Sequence, residues 1–469
     1  MDKSPPNVLL ITADQLRYDC VGYSEQYPVR TPNLDRLAAQ STVFHHAYSH
    51  IPVCGPARQS FLNGRRPETF GALWNDKASL PVSSLQPEDF SWTAALAENG
   101  YKSAFIGKWG VNPVYDPTSF GYSSYVGEDS YRSFMSTRYP HVVFTNGYFG
   151  ESNPVPIEDS ATHWLADQAI ETLEQLQASG GLWHLALHFS EPHLPCRPSG
   201  RFASMYNPDS IPEWAGFKDN LEGKPYIQRQ QLHSWGVEHY TWTDWAPIVA
   251  RYYGIISQLD DAIGKVLTKL DAMEASENTI VIFTADHGDM CGSHRMMDKH
   301  YILYDDVVRV PLMIRLPGEQ QVGKSCHHFV YNLLDMPPTL LELLELQHCD
   351  PGHLQGRSLM PLLMNVENTI TPEWRDSIVA TYNGQQFGLY TQRMIRTEKW
   401  KYIWNLTDVD ECYELDADPA ELVNQIANPE NAATIAKLRW RLYEQLTADG
   451  DPIVGNEWTR HQLLDGAKL

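Results

Sequence analysis

Short apolar runs alternate along this chain with stretches of helical period. Val8–Ile11, Ala104–Ile106, Trp183–Leu187, Ile280–Phe283 and Leu312–Ile314 are the clearest of these runs. Runs this apolar read as strands buried on both faces of a parallel sheet, so the pattern predicts an α/β fold. Between the first two, Thr31-Pro32-Asn33-Leu34-Asp35-Arg36-Leu37-Ala38 offers a threonine, a proline at the first helical position and then apolar spacing. It predicts a helix capped by Thr31. Ile255, Leu259, Ile263, Val266, Leu267 and Leu270 form an apolar stripe at helical period just before the run at 280, which predicts a helix followed by a strand. Segments 111–160 and 197–248 have no clear period and are crowded with Tyr, Trp, Pro and Gly. Loops that long inside a compact domain are usually functional.

After about residue 370 the texture changes. Ile378–Thr381, Met394–Thr397 and Tyr402–Trp404 predict antiparallel strands, and a final helix is expected near 431–447. The expected organisation is a larger α/β domain over 1–370 and a smaller α+β domain over 371–469.

At 469 residues the chain is long enough for two or three domains of roughly 100–200 residues each, with a core that needs no disulfide staple. Its 36 basic and 58 acidic residues give a net charge of −22, which repels phosphate backbones and excludes nucleic acid as a partner. An anionic substrate would have to be drawn in by local cations or a metal. The amino terminus shows neither an apolar leader nor a small-residue cleavage site, and no stretch approaches the roughly 18–20 apolar residues of a membrane span. Seven scattered cysteines without a Cys-x-x-Cys pair fit reduced thiols. The chain is therefore expected to be soluble and cytoplasmic, with no membrane partner.

Two of the apolar runs end alike. Thr12-Ala13-Asp14-Gln15 follows the first, and Thr284-Ala285-Asp286-His287-Gly288-Asp289 follows the run at 280. Both put an Asp and a second ligand-capable side chain at the carboxyl end of a buried strand, where open α/β sheets bind their ligands. Asp14, Gln15, Asp286 and His287 would make a mostly oxygen site suited to calcium, magnesium or manganese, with the imidazole favouring manganese. A single Asp at such a place also serves as a helix or turn cap.

The most informative stretch is Ile51-Pro52-Val53-Cys54-Gly55-Pro56-Ala57-Arg58, with Leu62-Asn63-Gly64 after it. It resembles the sulfatase signature, Cys-x-Pro-Ser/Ala-Arg followed by Leu-Thr-Gly, with Asn63 in place of the usual threonine. Gly107-Lys108-Trp109 resembles the family's second signature, although Gly110 stands where a histidine is usual. Ser190-Glu191-Pro192-His193-Leu194-Pro195 resembles its Pro-His-x-Pro turn, and Asp298-Lys299-His300-Tyr301 resembles the stretch that supplies a second sulfate-binding lysine. Tyr413-Glu414-Leu415-Asp416 with Asp418, Pro419 and Glu421 is similar to the mark of the family's carboxyl-terminal domain. The Asp14-Gln15 and Asp286-His287 pairs look like the version seen in choline sulfatases and phosphonate monoester hydrolases of the same superfamily.

The resemblance implies an alkaline-phosphatase-like fold, a large, mixed but mostly parallel sheet flanked by helices with the small α+β domain appended. It also implies that a maturation enzyme oxidises Cys54 to formylglycine and that one divalent metal, calcium or manganese, is held by Asp14, Gln15, Asp286, His287 and residue 54. The expected roles are nucleophile for residue 54, stabilisation of its ionised hydroxyl for Arg58, sulfate binding for Lys108 and Lys299, and protonation of the leaving alcohol for His193. The substrate implied is a small sulfate monoester. The aromatic residues Trp214, Tyr226, Trp235, Tyr240, Trp242 and Trp245 suggest a saccharide stacked in the 197–248 loop, or else core packing beneath it. A phosphodiesterase or phosphonate monoester hydrolase with the same nucleophile, and a binding protein that has lost catalysis, remain alternatives.

Overall fold

The computed structural model describes residues 5–76, 80–318, 323–364, 374–384 and 386–468. The expected boundary at 370 and the first four residues lie outside them.

The strands in chain order are β1 (Asn7–Asp14), β2 (Thr42–Phe44), β3 (Ala47–Tyr48), β4 (Lys102–Gly107), β5 (Ser124–Gly127), β6 (Trp183–Pro192) and β7 (Thr279–Ala285). They continue with β8 (Leu312–Arg315), β9 (Lys324–Cys326), β10 (Val330–Tyr331), β11 (Ser377–Gly384), β12 (Tyr390–Thr397), β13 (Trp400–Asn405) and β14 (Glu411–Glu414). Eight of them form one sheet in the order β5-β4-β6-β1-β7-β8-β2-β9, and β3 and β10 form a separate parallel pair. β5, β4, β6, β1 and β7 are mutually parallel. β8 is antiparallel to both β7 and β2, so Leu312–Ile314 is not the parallel strand its composition suggested. A buried strand has the same composition in either direction. Here the chain stays at the carboxyl end of β7 to build residues 286–311, then re-enters the sheet from that end and must run backwards.

Helices Ala161–Ala178 and Trp242–Ala272 pack on each other and on β6. The second is 31 residues long and begins well before the stripe at 255. Segment 197–248 also contains the helix Tyr226–Trp235, and segment 111–160 contains Glu128–Arg138, so neither is loop throughout. The helix Pro32–Ala38 forms as expected, but Thr31 does not cap it. The Thr31 hydroxyl accepts the Gly22 N–H instead, and Asp260 of the long helix takes the N–H groups of Asn33 and Leu34 at 2.7–3.2 Å. A carboxylate satisfies two free helix donors where one hydroxyl satisfies one, and it ties the two helices together.

β11 to β14 form an antiparallel sheet in sequence order. Alternation divides its two faces. Ile378, Ala380, Tyr382, Met394 and Ile403 join the main core, while Val379, Ile395, Tyr402 and Trp404 pack with Leu438 and Leu442 of the helix Ala432–Ala448. That helix is not the last, since Glu457–Asp465 follows and packs against it. All seven cysteines are free thiols. Among the described residues no helix is long and apolar enough to cross a membrane.

Candidate active site

Strand register assembles the site. β1 and β7 pair with Ala13 opposite Ala285, so Asp14 and Asp286 leave adjacent strands side by side. β4 and β6 pair with Gly107 opposite His188, which brings Lys108 to the same edge. Gly107 has φ of +104°, and a Cβ there would lie 1.9 Å from the His188 carbonyl oxygen, so only glycine lets the two strands meet at this point. Cys54 opens the buried helix Cys54–Asn63, and its Sγ lies 3.5 Å from Asp14 Oδ1 and 3.1 Å from His287 Nε2.

Arg58 lies one helical turn further on, between the two carboxylates. Its Nη2 donates to Asp14 Oδ2 and Asp286 Oδ2, each at 3.0 Å, and its Nε to Asp286 Oδ2 at 3.2 Å. Nη1 donates to the Lys108 carbonyl at 2.8 Å and to His188 Nδ1 at 3.0 Å. All five guanidinium hydrogens are thereby engaged. In this arrangement the strand-end carboxylates, a carbonyl and His188 take the fork, and Arg58 acts on residue 54 through its charge rather than by a hydrogen bond. A Cβ at Gly110 would lie 3.3 Å from Arg58 Cδ, so position 110 packs against this side chain.

Asp14, Cys54, Asp286 and His287 are buried, with one ligand atom from each inside a sphere small enough for an ion. Their chemistry fits a divalent cation. His287 Nδ1 donates to the Gly288 carbonyl at 2.9 Å and turns Nε2 toward the cluster; burial alone would push this imidazole down, but Asp286 and Cys54 outweigh it and raise it to about 9, so the cluster favours a positive charge at this point. Asp286 Oδ1 is aimed by the N–H groups of Gln15 and His287 at 3.1 and 3.0 Å. Burial alone would push Asp14 up, but Lys108, His193, Arg58 and His287 overcome it and hold it well below the ordinary carboxylate value. Burial and the neighbouring Asp14 push Asp286 up. Two fully buried carboxylates cannot both stay ionised cheaply without a further cation. Gln15 is held in the left-handed region and donates from Nε2 to Asp289 at 2.6 Å and Asp298 at 3.0 Å. Its oxygen, expected as a metal ligand, accepts from Lys299 Nζ at 2.8 Å in this arrangement.

Three further cationic or basic groups face the cluster. Lys108 Nζ is 2.6 Å from Asp14 Oδ2. Lys299 Nζ also donates to His193 Nε2 at 2.8 Å. His193 Nδ1 donates to the Leu194 carbonyl at 2.7 Å, which turns Nε2 toward Lys299 and the cavity over Cys54. Burial and Asp14 raise the Cys54 thiol, yet Lys108, Lys299 and His287 outweigh them and hold it well below its ordinary value. The site is therefore arranged to stabilise an anion at position 54. His300 faces Tyr382 at 2.9 Å, and burial pushes it down to about 4, so it is poorly suited to donate a proton near neutral pH.

A cavity of about 520 Å³ opens over Cys54, with Lys108 and His193 in its wall. A second, of about 890 Å³, lies beyond His193. Tyr115 and Tyr125 line the first, and Tyr131, Tyr139 and Phe144 the second. The aromatic residues expected to stack a sugar lie elsewhere. Trp214 and Trp245 are core, with Arg17 stacked 4.1 Å over the Trp214 ring, and none of the six lines either cavity. Sequence reasoning missed His188, Asp289 and Asp298, and it passed over Glu191. His188 sits inside an apolar strand and Asp298 beside a matched lysine, and neither spacing marks a partner for Arg58 or Gln15. Glu191 is inside the matched turn. Burial pushes its carboxyl up to about 7, and Oε2 has no hydrogen-bond partner among the described residues.

The sulfatase family profile matches residues 6–346, and the profile of the N-sulphoglucosamine sulphohydrolase carboxyl-terminal region matches residues 292–448. The chain is 30% identical to an arylsulfatase of Clostridium perfringens, over 94% of each chain. It is 25% identical to an N-acetylglucosamine-6-O-sulfatase of Bacteroides thetaiotaomicron, over 95% of this chain and 88% of that one. The solved structure of a phosphonate monoester hydrolase of Agrobacterium radiobacter superposes with a TM-score of 0.79 at 26% identity, covering 95% of both chains.

Proposed function

The chain belongs to the sulfatase family, and from that premise we propose that it hydrolyses a sulfate monoester of a small saccharide, with residue 54 as nucleophile. The family membership makes it a sulfuric ester hydrolase; the saccharide, the modified cysteine and the metal are the finer parts of the reading. The observation that carries it is the setting of Cys54, on a helix start between Asp14 and His287 and under the influence of Lys108 and Lys299. The saccharide is supported by the N-acetylglucosamine-6-O-sulfatase relative and by the aromatic walls beyond Lys108 and His193.

Converted to formylglycine by a maturation enzyme and hydrated, residue 54 would carry two hydroxyls on one carbon, one to attack sulfur and one to release sulfate as the aldehyde re-forms. Asp14, Asp286, His287 and the Gln15 oxygen would hold calcium or manganese, which supplies positive charge to ionise that hydroxyl and to offset the charge of the ester. The remaining chemistry belongs to the side chains. Arg58 keeps Asp14 and Asp286 aligned. Lys108 and Lys299 bind sulfate oxygens, which an acidic protein must do with local cations. His193, its Nδ1 fixed on the Leu194 carbonyl, carries a proton on Nε2 to the leaving oxygen.

The likeness to the solved phosphonate monoester hydrolase favours a second reading as a phosphodiester or phosphonate ester hydrolase. One preparation of mature enzyme assayed on an aryl sulfate and an aryl phosphodiester separates the two. The proposal expects higher kcat/KM on the sulfate, and preference for the phosphodiester overturns it.

A further inference from the structure

The larger cavity is not part of the chemistry described so far. It shares Lys108, Glu128, Arg132 and His193 with the cavity over Cys54, so the two are joined at the position where His193 would meet a leaving alcohol. At about 890 Å³ it is large enough for more of a substrate than the ring bearing the ester.

Three cations line it, and they differ in how they are held. Lys108 pairs with Asp14, and Arg132 pairs with Asp129. Arg197 makes no ion pair or hydrogen bond among the described residues, and its Nε is buried without a partner. Its guanidinium lies 4.0 Å above the Phe144 ring, which fixes the plane of the fork while using none of its hydrogens. Arg58, with five hydrogen bonds, shows by contrast what a structural arginine looks like in this protein. Glu151 acts on Arg197 through space, but its Oε1 is tied to the N–H groups of Thr145 and Asn146 at 2.7 Å each. Of the carboxyls in the cavity wall, Glu128 accepts from Ser190 Oγ at 2.5 Å, and Glu191 is held partly protonated near neutral pH by burial. Neither one neutralises Arg197 by contact.

We propose that this cavity is a subsite for a second anionic group on the substrate, a carboxylate or a further sulfate, and that Arg197 is its receptor. A planar fork with free hydrogens suits both groups, and a stacked arginine binds them with little further ordering. The proposal rests on the saccharide sulfatase reading and narrows its substrate class to acidic saccharides with at least two anionic groups. His193 and Arg197 stand on the same loop after β6, so one segment would present the leaving oxygen and the distal anion together.

The test compares kcat/KM of the mature enzyme on four esters that share one sulfated sugar: that sugar alone, the sugar linked to a uronate, the same with the uronate methyl-esterified, and the sugar with a second sulfate. Wild type is expected to favour at least one anionic member over its neutral counterpart by about ten- to hundred-fold, the range of a charge-assisted hydrogen bond. Which member is favoured identifies the group. Arg197→Gln should bring that ratio close to one, and Arg197→Lys should retain part of it, with near-ultraviolet circular dichroism checking the fold of both. Equal rates on neutral and anionic members in wild type, or a ratio that survives in Arg197→Gln, overturns the proposal. Turnover of aryl sulfate with no turnover of any saccharide ester overturns it while leaving the sulfatase reading standing. Turnover of aryl phosphodiester in preference to every sulfate overturns both.

Discussion

The floor of the site and its rim use polar groups in opposite ways. On the floor, Asp14, Arg58, Asp286 and His287 stand at strand ends or in the first turns of a buried helix, and they spend their hydrogen-bonding capacity on one another. At the rim, Glu191 stands at the end of β6 and Arg197 on the loop after it, and each leaves a buried polar atom without a partner among the described residues. A floor so closely tied tolerates little change and fits chemistry that never varies. A rim with free valences is where recognition can be set without disturbing that chemistry.

The sharpest way to break this contrast is to damage the floor. Asp286→Ala removes a proposed metal ligand and one of two anions facing Arg58, and turnover is expected to fall by about 10³-fold or more together with metal content. Metal analysis of the purified variant checks this, and undiminished metal would show the floor to be wrongly assigned. His193→Ala tests the boundary between floor and rim. If Nε2 protonates the leaving oxygen, the loss should be about 10²-fold or more on saccharide sulfates and much smaller on aryl sulfates, whose phenols leave without a proton. Equal loss on both would reject that role. Lys108→Ala should cost about 10²-fold on either substrate, as for one lost electrostatic donor, with metal content kept.

The smallest effect expected is on stability and belongs to the rim. Burial pushes the Glu191 carboxyl up to about 7 from an ordinary value near 4.5, so the folded chain holds a proton that the unfolded chain releases between those values. Stability should therefore decline as pH rises through that window and level off above it. Glu191→Gln removes this component, and thermal unfolding at about pH 5 and about pH 8 should show a smaller decline than in wild type. An unchanged decline would mean that Glu191 is not the group responsible.

The floor was also the part most legible in the sequence. Two apolar runs each ending in Ala-Asp announce strand ends, and the Cys-x-Pro-x-Arg stretch stands beside them in kind; register then makes Asp14 and Asp286 neighbours. What the sequence could not reveal follows from the same physics. The direction of β8 depends on where the chain re-enters the sheet, and its apolar side chains are indifferent to that. Arg58 was read as facing residue 54 because helical spacing gives a side, but only the fold shows that two carboxylates and a carbonyl reach its fork first. The aromatic residues of 197–248 were a reasonable guess at a sugar site. Trp214 and Trp245 instead serve the core, and the wall of the smaller cavity and the aromatic wall of the larger come largely from residues 108–144, where an exposed helix, Glu128–Arg138, carries no buried side chain to give it a period.

The central claim is that residue 54 acts only after its thiol has become an aldehyde. Peptide mass spectrometry across Cys54, on preparations made with and without a maturation enzyme and assayed in parallel on an aryl sulfate, tests it most directly. The account predicts that turnover rises in proportion to the fraction of peptide carrying the aldehyde, and that unconverted protein is folded but nearly inactive. Full activity in protein whose residue 54 is wholly an unmodified thiol would contradict it.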